Sequence, residues 1–167
     1  MIRDIHQHGR RSLKKYFRWL GIAVVVIFCA LQFVRPERAN PASDQSMAVG
    51  MQSGMTLPVA NLIKTACFDC HSNETKWPWY SEIAPVSWLV ANDVKEGRAH
   101  LNFSEWGTYT KSKRVLKLGQ IYEQVSKNEM PIPKYLTMHP DAKLSAADRD
   151  TITSWTEQEQ DRLTGGN

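Results

Sequence analysis

Apolar and polar residues fall in blocks along this chain of 167 residues, and the longest apolar block comes first. From Trp19 to Val34 sixteen positions carry no charge, and only Gln32 is strongly polar. Such a run predicts a helix suited to lipid, although a bilayer core is spanned by about 20 residues. Tyr16 and Phe17 extend the run, and Arg18 can snorkel toward headgroups. Tyr16 and Trp19 suit an interfacial aromatic belt. A single transmembrane helix over 19–34 is the expectation.

Residues 35–57 break the pattern. Pro36, Pro41, Gly50, Gly54 and several serines leave no sustained apolar period, so this stretch reads as a linker. Met47, Met51 and Met55 recur every four residues there, which an incidental helical turn explains more simply than a methionine metal site. Helical periodicity starts at Leu57. Val59, Leu62, Ile63 and Ala66 mark one face of a short helix that runs into Cys67. Pro78 and Pro85 limit regular structure among Trp77, Trp79, Tyr80 and Trp88. A second helix is predicted from about Pro85 to Arg98, with Val86, Leu89, Val90 and Val94 apolar. After a loop over 102–110, a third covers about Ser112 to Lys127, with Val115, Leu118, Tyr122 and Val125 facing inward. Glu129-Met130-Pro131-Ile132-Pro133 cannot continue it. A further loop runs from Tyr135 to Lys143. Ser145 can then cap a last helix, with Asp148 third after it and Ile152 and Trp155 on the inner face. No strand or repeat is expected. The fold class is all-α, with long ordered loops.

Charge changes this picture only at the N-terminus. Residues 1–38 hold eight Lys/Arg against two Asp/Glu, and residues 39–167 hold thirteen against fifteen. The basic excess flanks the apolar run, so it argues for membrane orientation and not for nucleic-acid binding. It puts residues 1–18 in the cytoplasm and the chain after the run outside. His6 and His8 fall on the cytoplasmic side. A cleaved signal peptide is the alternative, but no clear small-x-small site follows the run; Ala39-Asn40-Pro41-Ala42 is a poor one. The expected organisation is a basic tail over 1–18, an anchor over 19–34, a linker over 35–57 and an extracytoplasmic domain over 58–167.

Three cysteines do not make a disulfide scaffold. Cys29 lies in the apolar run and reads as a small buried hydrophobe. The other two belong to Cys67-Phe68-Asp69-Cys70-His71, the Cys-x-x-Cys-His signature of c-type haem attachment. Two thiols at this spacing can form thioethers with the two vinyl groups of one haem, and the adjacent His71 can supply a proximal imidazole. The pair could instead be a redox dithiol, half of a zinc site or a structural disulfide. A zinc site normally needs four ligands, and no second Cys pair exists; a thioredoxin-like motif needs a strand-helix context that is missing.

The chain resembles a bacterial haem-binding domain family related to mono-haem cytochromes c. The resemblance runs from about Pro58 to Trp155. It is carried by Cys67 to Thr75, by Trp77-Pro78-Trp79-Tyr80, and by Ile83-Ala84-Pro85-Val86-Ser87-Trp88. Gly97-Arg98, Leu101-Asn102-Phe103-Ser104-Glu105-Trp106, Glu129-Met130-Pro131 and His139-Pro140 extend it. It implies one covalent haem c held by Cys67 and Cys70, with His71 on the iron, in an extracytoplasmic domain that transfers electrons. Cytochromes of this kind usually take a methionine from a loop between later helices as the second ligand, and Met130 is the match. His139, Met138 and His100 are the competitors. Arg98 can pair with a propionate or sit solvated at a helix end. Some of the six tryptophans can pack on the ring, though most should be core. The expected role is a membrane-anchored one-electron carrier between redox partner proteins, with no catalytic acid-base pair and so not an enzyme. A haem-based sensor and an accessory to a haem peroxidase are the other readings.

Overall fold

A computed structural model describes residues 2–165, with side chains from Leu13 onward; His6 and His8 lie outside the described side chains. Five helices of substantial length follow one another: α1 (Ile2–Leu31), α2 (Leu57–Ala66), α3 (Val86–His100), α4 (Lys111–Ser126) and α5 (Ala146–Thr164). Single helical turns at Val49–Gln52, Phe68–His71 and Pro133–Leu136, and 3-10 turns at Phe103–Thr108 and Pro140–Ala142, fill the connections. Among the described residues there is no strand, and the all-α expectation holds. The chain divides into two compact units, one of residues 1–37 with 78–91, the other of 38–77 with 92–167.

In the first unit, α1 is a continuous helix, but its charge-free part runs only from Trp19 to Leu31. At 1.5 Å per residue that length covers roughly 20 Å, against a hydrocarbon core of about 30 Å. Among the described residues no helix is long and apolar enough to cross a membrane. The expected span over 19–34 is therefore not present as one helix, because the helix stops at Leu31. Cys29 is exposed on α1 and is not the buried hydrophobe expected of it. The end of α1 is tied to the segment 78–91. Gln32 donates from Nε2 to the Ala84 carbonyl (3.3 Å) and accepts at Oε1 from the Ala84 N–H (3.0 Å). The Trp88 indole N–H donates to the Val34 carbonyl at 2.7 Å.

The second unit holds the core. Val59, Ile63 and Ala66 of α2 meet Leu118, Ile121 and Val125 of α4 and Ile152 and Trp155 of α5, with Phe103 and Trp106 beneath. Each such side chain, once fully buried, contributes about 1.5–3 kcal/mol. The α4 face is read one step off by periodicity alone: Ile121 is buried and Tyr122 is exposed. Ser145 and Asp148 form the capping box expected of α5. Residues 38–57 do not behave as a free linker. Val49 is buried in the core and Met55 packs against it, while Met51 is exposed. The buried Glu159 carboxylate accepts the Gly54 N–H at 3.2 Å and a two-pronged pair of bonds from Arg162 at 2.6 and 2.7 Å, which fixes this stretch to α5.

The end of α4 decides where Met130 goes. Asn128 takes a left-handed conformation (φ 56°). Its N–H donates to the Val125 carbonyl at 3.0 Å, and the Glu129 N–H donates to the Gln124 carbonyl at 2.9 Å. This double closure is a Schellman ending with Asn in place of Gly. The Met130 N–H also reaches the Gln124 carbonyl, at 3.2 Å. Asn128→Gly should be tolerated within a few tenths of a kcal/mol, whereas Asn128→Val should cost about 1–2 kcal/mol because a Cβ-branched residue clashes in this region. Urea midpoints of the two variants check this; equal midpoints would remove the account.

Candidate functional site

The turn Phe68–His71 follows α2 directly, with Cys67 between them. Phe68 stacks on Phe103 (5.6 Å between ring centres), and Phe103 stacks on Trp106 (6.4 Å). This aromatic column seats the motif on the core. The residues just after it are buried polar groups, each with a partner. The Asn73 N–H donates to Ser104 Oγ (3.0 Å), and its Oδ1 accepts from the Asn102 amide (2.8 Å). Thr75 Oγ1 donates to the Asp69 carbonyl at 2.7 Å. Arg98 spends its whole guanidinium here: Nε on the Ser72 carbonyl, Nη1 on the Ala39 carbonyl, Nη2 on Asn40 Oδ1 and Thr75 Oγ1, all at 2.8 Å. Arg98 is thus neither a solvated helix end nor a lining residue of the cavity described next. It is a clamp on 39–40 and 72–75, and the Ser72–Thr75 part of the motif serves the same purpose.

A cavity of about 900 Å³ opens against the motif, lined among others by Cys67, Cys70, His71, Phe103, Ile121 and Met130. This lies in the upper part of the range of roughly 300–1,000 Å³ typical of cofactor sites. His71 Nδ1 lies 2.9 Å from the Gly97 carbonyl and 3.2 Å from the Leu101 carbonyl. Carbonyls only accept, so Nδ1 carries the hydrogen and Nε2 keeps its lone pair, the arrangement that orients a metal-binding imidazole. Burial lowers the His71 pKa against the opposing pull of those two bonds, so the ring is neutral at neutral pH.

The two thiols are unpaired. Burial pushes Cys67 up to about 12, with Cys70 adding to the effect. Burial pushes Cys70 up to about 11, helped by the carboxylates of Asp93 and Asp69. A reactive dithiol has a lowered pKa, so this environment opposes the redox reading. Among the described residues no three His, Cys, Asp or Glu side chains gather as an ion site, so the zinc reading finds no ligand set. Two half-buried thiols at the motif spacing, an imidazole with a free Nε2 and an apolar wall of Phe103, Ile121, Val125, Pro131 and Ile132 suit a haem. The residues fit the group.

A family model described as a haem-binding domain matches residues 26–158. The chain belongs to that family. The match begins within α1 and includes the stretch 35–57, further toward the N-terminus than the motifs from Pro58 onward suggest. No curated protein matches the chain, and neither does any solved structure.

As a haem-binding domain, the second unit brings together some of the expected site residues and separates others. Met130 lines the cavity with His71, and so does His100. Met138 is exposed, and His139 stacks on Tyr135 at 4.2 Å between ring centres; neither lines the cavity. No tryptophan lines it either; Trp106 and Trp155 are core. Two pairs were not anticipated. Tyr135 donates from its hydroxyl to Asp69 Oδ2 at 2.8 Å, joining the chain after Met130 to the residue between the two cysteines. Lys134 pairs with Asp93 at 2.8 Å across lining residues of the same cavity. Burial, reinforced by Asp69, raises the Tyr135 pKa, so the phenol stays a donor. Tyr135→Phe should lower stability by about 1 kcal/mol, the worth of one hydrogen bond. Asp69→Asn, which keeps an acceptor, should cost less. An unchanged urea midpoint in Tyr135→Phe would show that the bond is not made in solution.

Proposed function

We propose that this protein is a membrane-attached mono-haem c-type cytochrome that carries one electron between redox partner proteins outside the cytoplasm of a bacterium. The observation that carries the reading is that the two half-buried cysteines, a neutral His71 and Met130 line one cavity. Cys67 and Cys70 would hold the haem through thioethers, and His71 and Met130 would bind its iron. The bound haem supplies a centre that accepts and releases a single electron.

The chain's own residues do the rest. The Gly97 and Leu101 carbonyls hold the His71 ring in one tautomer and make it a better donor. Apolar side chains exclude water, which disfavours added charge at the centre. No side chain is asked to move a proton, so the reading is a carrier and not an enzyme. Membrane attachment through α1 is supported by its apolar side chains, exposed from Trp19 to Phe28, and by Lys14, Lys15 and Arg18 before them.

The test of attachment is denaturation and acid-acetone extraction of protein matured with haem. The haem is expected to stay on the polypeptide, and its pyridine haemochrome to report two saturated vinyls. Free haem in the extract would refute the c-type assignment and leave a non-covalent haem protein. The electron-carrier reading further expects a reduced form that does not bind carbon monoxide. Ready binding would put a haem-based sensor first.

A further inference from the structure

The first unit exposes apolar side chains that its own fold leaves uncovered. Trp79 is 69% exposed, Leu89 61% and Phe33 88%; Val34, Ile83 and Val86 are exposed as well. Of the apolar positions Val86, Leu89, Val90 and Val94 expected on this helix, only Val94 is buried. The start of α3 belongs to the first unit and its end to the second. All six residues lie close in sequence to one junction, the place where Gln32 and the Val34 carbonyl bind Ala84 and Trp88. Arg35 and Glu82 add a solvent-exposed ion pair at 4.0 Å beside it.

What covers such a surface is indicated by α1, to which it is joined. Val24, Val25, Val26 and Ile27 are consecutive and all exposed, so this part of the helix is apolar on every side. Apolar surface on all sides of a helix is covered by a protein core or by lipid, and Lys14, Lys15 and Arg18 just before this stretch favour an anionic lipid surface. The bonds of Gln32 to Ala84 and of Trp88 to Val34 hold segment 78–89 beside the end of that stretch. A tryptophan and an exposed ion pair at the same place suit the headgroup level and not the hydrocarbon centre. We propose that Phe33, Val34, Trp79, Ile83, Val86 and Leu89 form an interfacial contact that rests in the headgroup–acyl boundary of a bilayer. Segment 78–89 is then a second point of membrane attachment, inside the region matched by the family model. The proposal rests on the membrane attachment of α1 and adds to it.

The test uses the full chain with its haem attached, in phosphatidylethanolamine–phosphatidylglycerol vesicles. Cys29→Ser removes the exposed thiol. A nitroxide is then placed at Leu89→Cys, with Val26→Cys and Leu116→Cys as references in separate samples. Leu116 is exposed on α4 of the second unit. Collision rates with oxygen, which favours lipid, and with a water-soluble nickel chelate are compared. The expected oxygen-to-nickel ratio at residue 89 exceeds that at residue 116 by roughly threefold or more, as for side chains in the boundary region. A ratio at 89 equal to that at 116, with residue 26 in lipid, would overturn the proposal and leave attachment by α1 standing. Residue 26 in water would remove both. A label at 89 shielded from both reagents would show a protein contact there and overturn the lipid assignment.

Discussion

Met130→Ala is expected to leave the haem content unchanged while letting carbon monoxide bind the reduced protein. Binding should go from undetectable to stoichiometric. The argument starts at the end of α4. Asn128 turns the chain, the Gln124 carbonyl fixes the Met130 N–H, and buried Pro131 follows. Met130 therefore enters the cavity from a short, closed turn and not from a mobile loop. A thioether ligand raises the potential of a haem relative to a second imidazole, so its removal should lower the potential. Any weak absorption arising from iron–sulfur ligation in the oxidised protein should vanish. His100 lines the same cavity, which gives the experiment a second arm. If imidazole replaces sulfur in Met130→Ala, the site stays closed, the potential falls, and only the added His100→Ala opens it. Met138→Ala and His139→Ala should leave the spectrum unchanged, because neither residue lines the cavity. An open site in His139→Ala with a closed one in Met130→Ala would overturn the ligand assignment.

The helices of the second unit were legible because burial there follows local periodicity. Val59, Ile63 and Ala66 on α2, and Leu118 and Val125 on α4, recur at helical offsets and are all buried. The Ser145–Asp148 cap was legible for the same reason, since its chemistry lies within four residues. Periodicity misplaced Tyr122 against Ile121 because several offsets of three and four fit one apolar sequence equally well. It marked Val86 and Leu89 only as apolar, because it cannot tell which element a face meets. Cys67, Cys70 and His71 are read from spacing and Met130 from a family pattern, and the four line one cavity. Partners distant in sequence leave no such trace. Tyr135 meets Asp69 across 66 positions, and Arg98 reaches Ala39 across 59. Arg98 was named from the sequence, but its role depends on carbonyls whose direction no sequence motif encodes.

Gly97→Ala carries the largest expected effect on stability, and Gly119→Ala is its control. Both glycines lie inside long helices, where Ala is favoured over Gly by about 1 kcal/mol. By propensity alone both substitutions stabilise. Space separates them. At Gly119 a Cβ would meet only Gln160 Nε2, which donates to the Val115 carbonyl, and at 3.4 Å that is an ordinary contact, so a gain of up to about 1 kcal/mol should survive. At Gly97 a Cβ would stand 2.5 Å from the Cys70 carbonyl oxygen and 3.0 Å from both its carbonyl carbon and its Cβ. These are atoms of the haem-motif turn, held by α2 on one side and by the Ser72–Thr75 contacts on the other, so they cannot swing away. Either α3 or the turn must move. Overpacking of this kind costs about 1–3 kcal/mol or more, which exceeds the propensity gain. The displacement also strikes the function. Gly97 supplies the nearer of the two carbonyls that hold His71 Nδ1, and a shift of α3 lengthens that bond. Gly97→Ala should therefore melt several degrees lower while Gly119→Ala melts at the same temperature or higher. In haem-loaded Gly97→Ala, spectra should report a perturbed proximal imidazole, which a purely structural loss elsewhere would not produce. Equal melting temperatures for the two variants, with unaltered spectra, would mean that α3 does not approach the motif as closely as 2.9 Å from His71 to Gly97 requires.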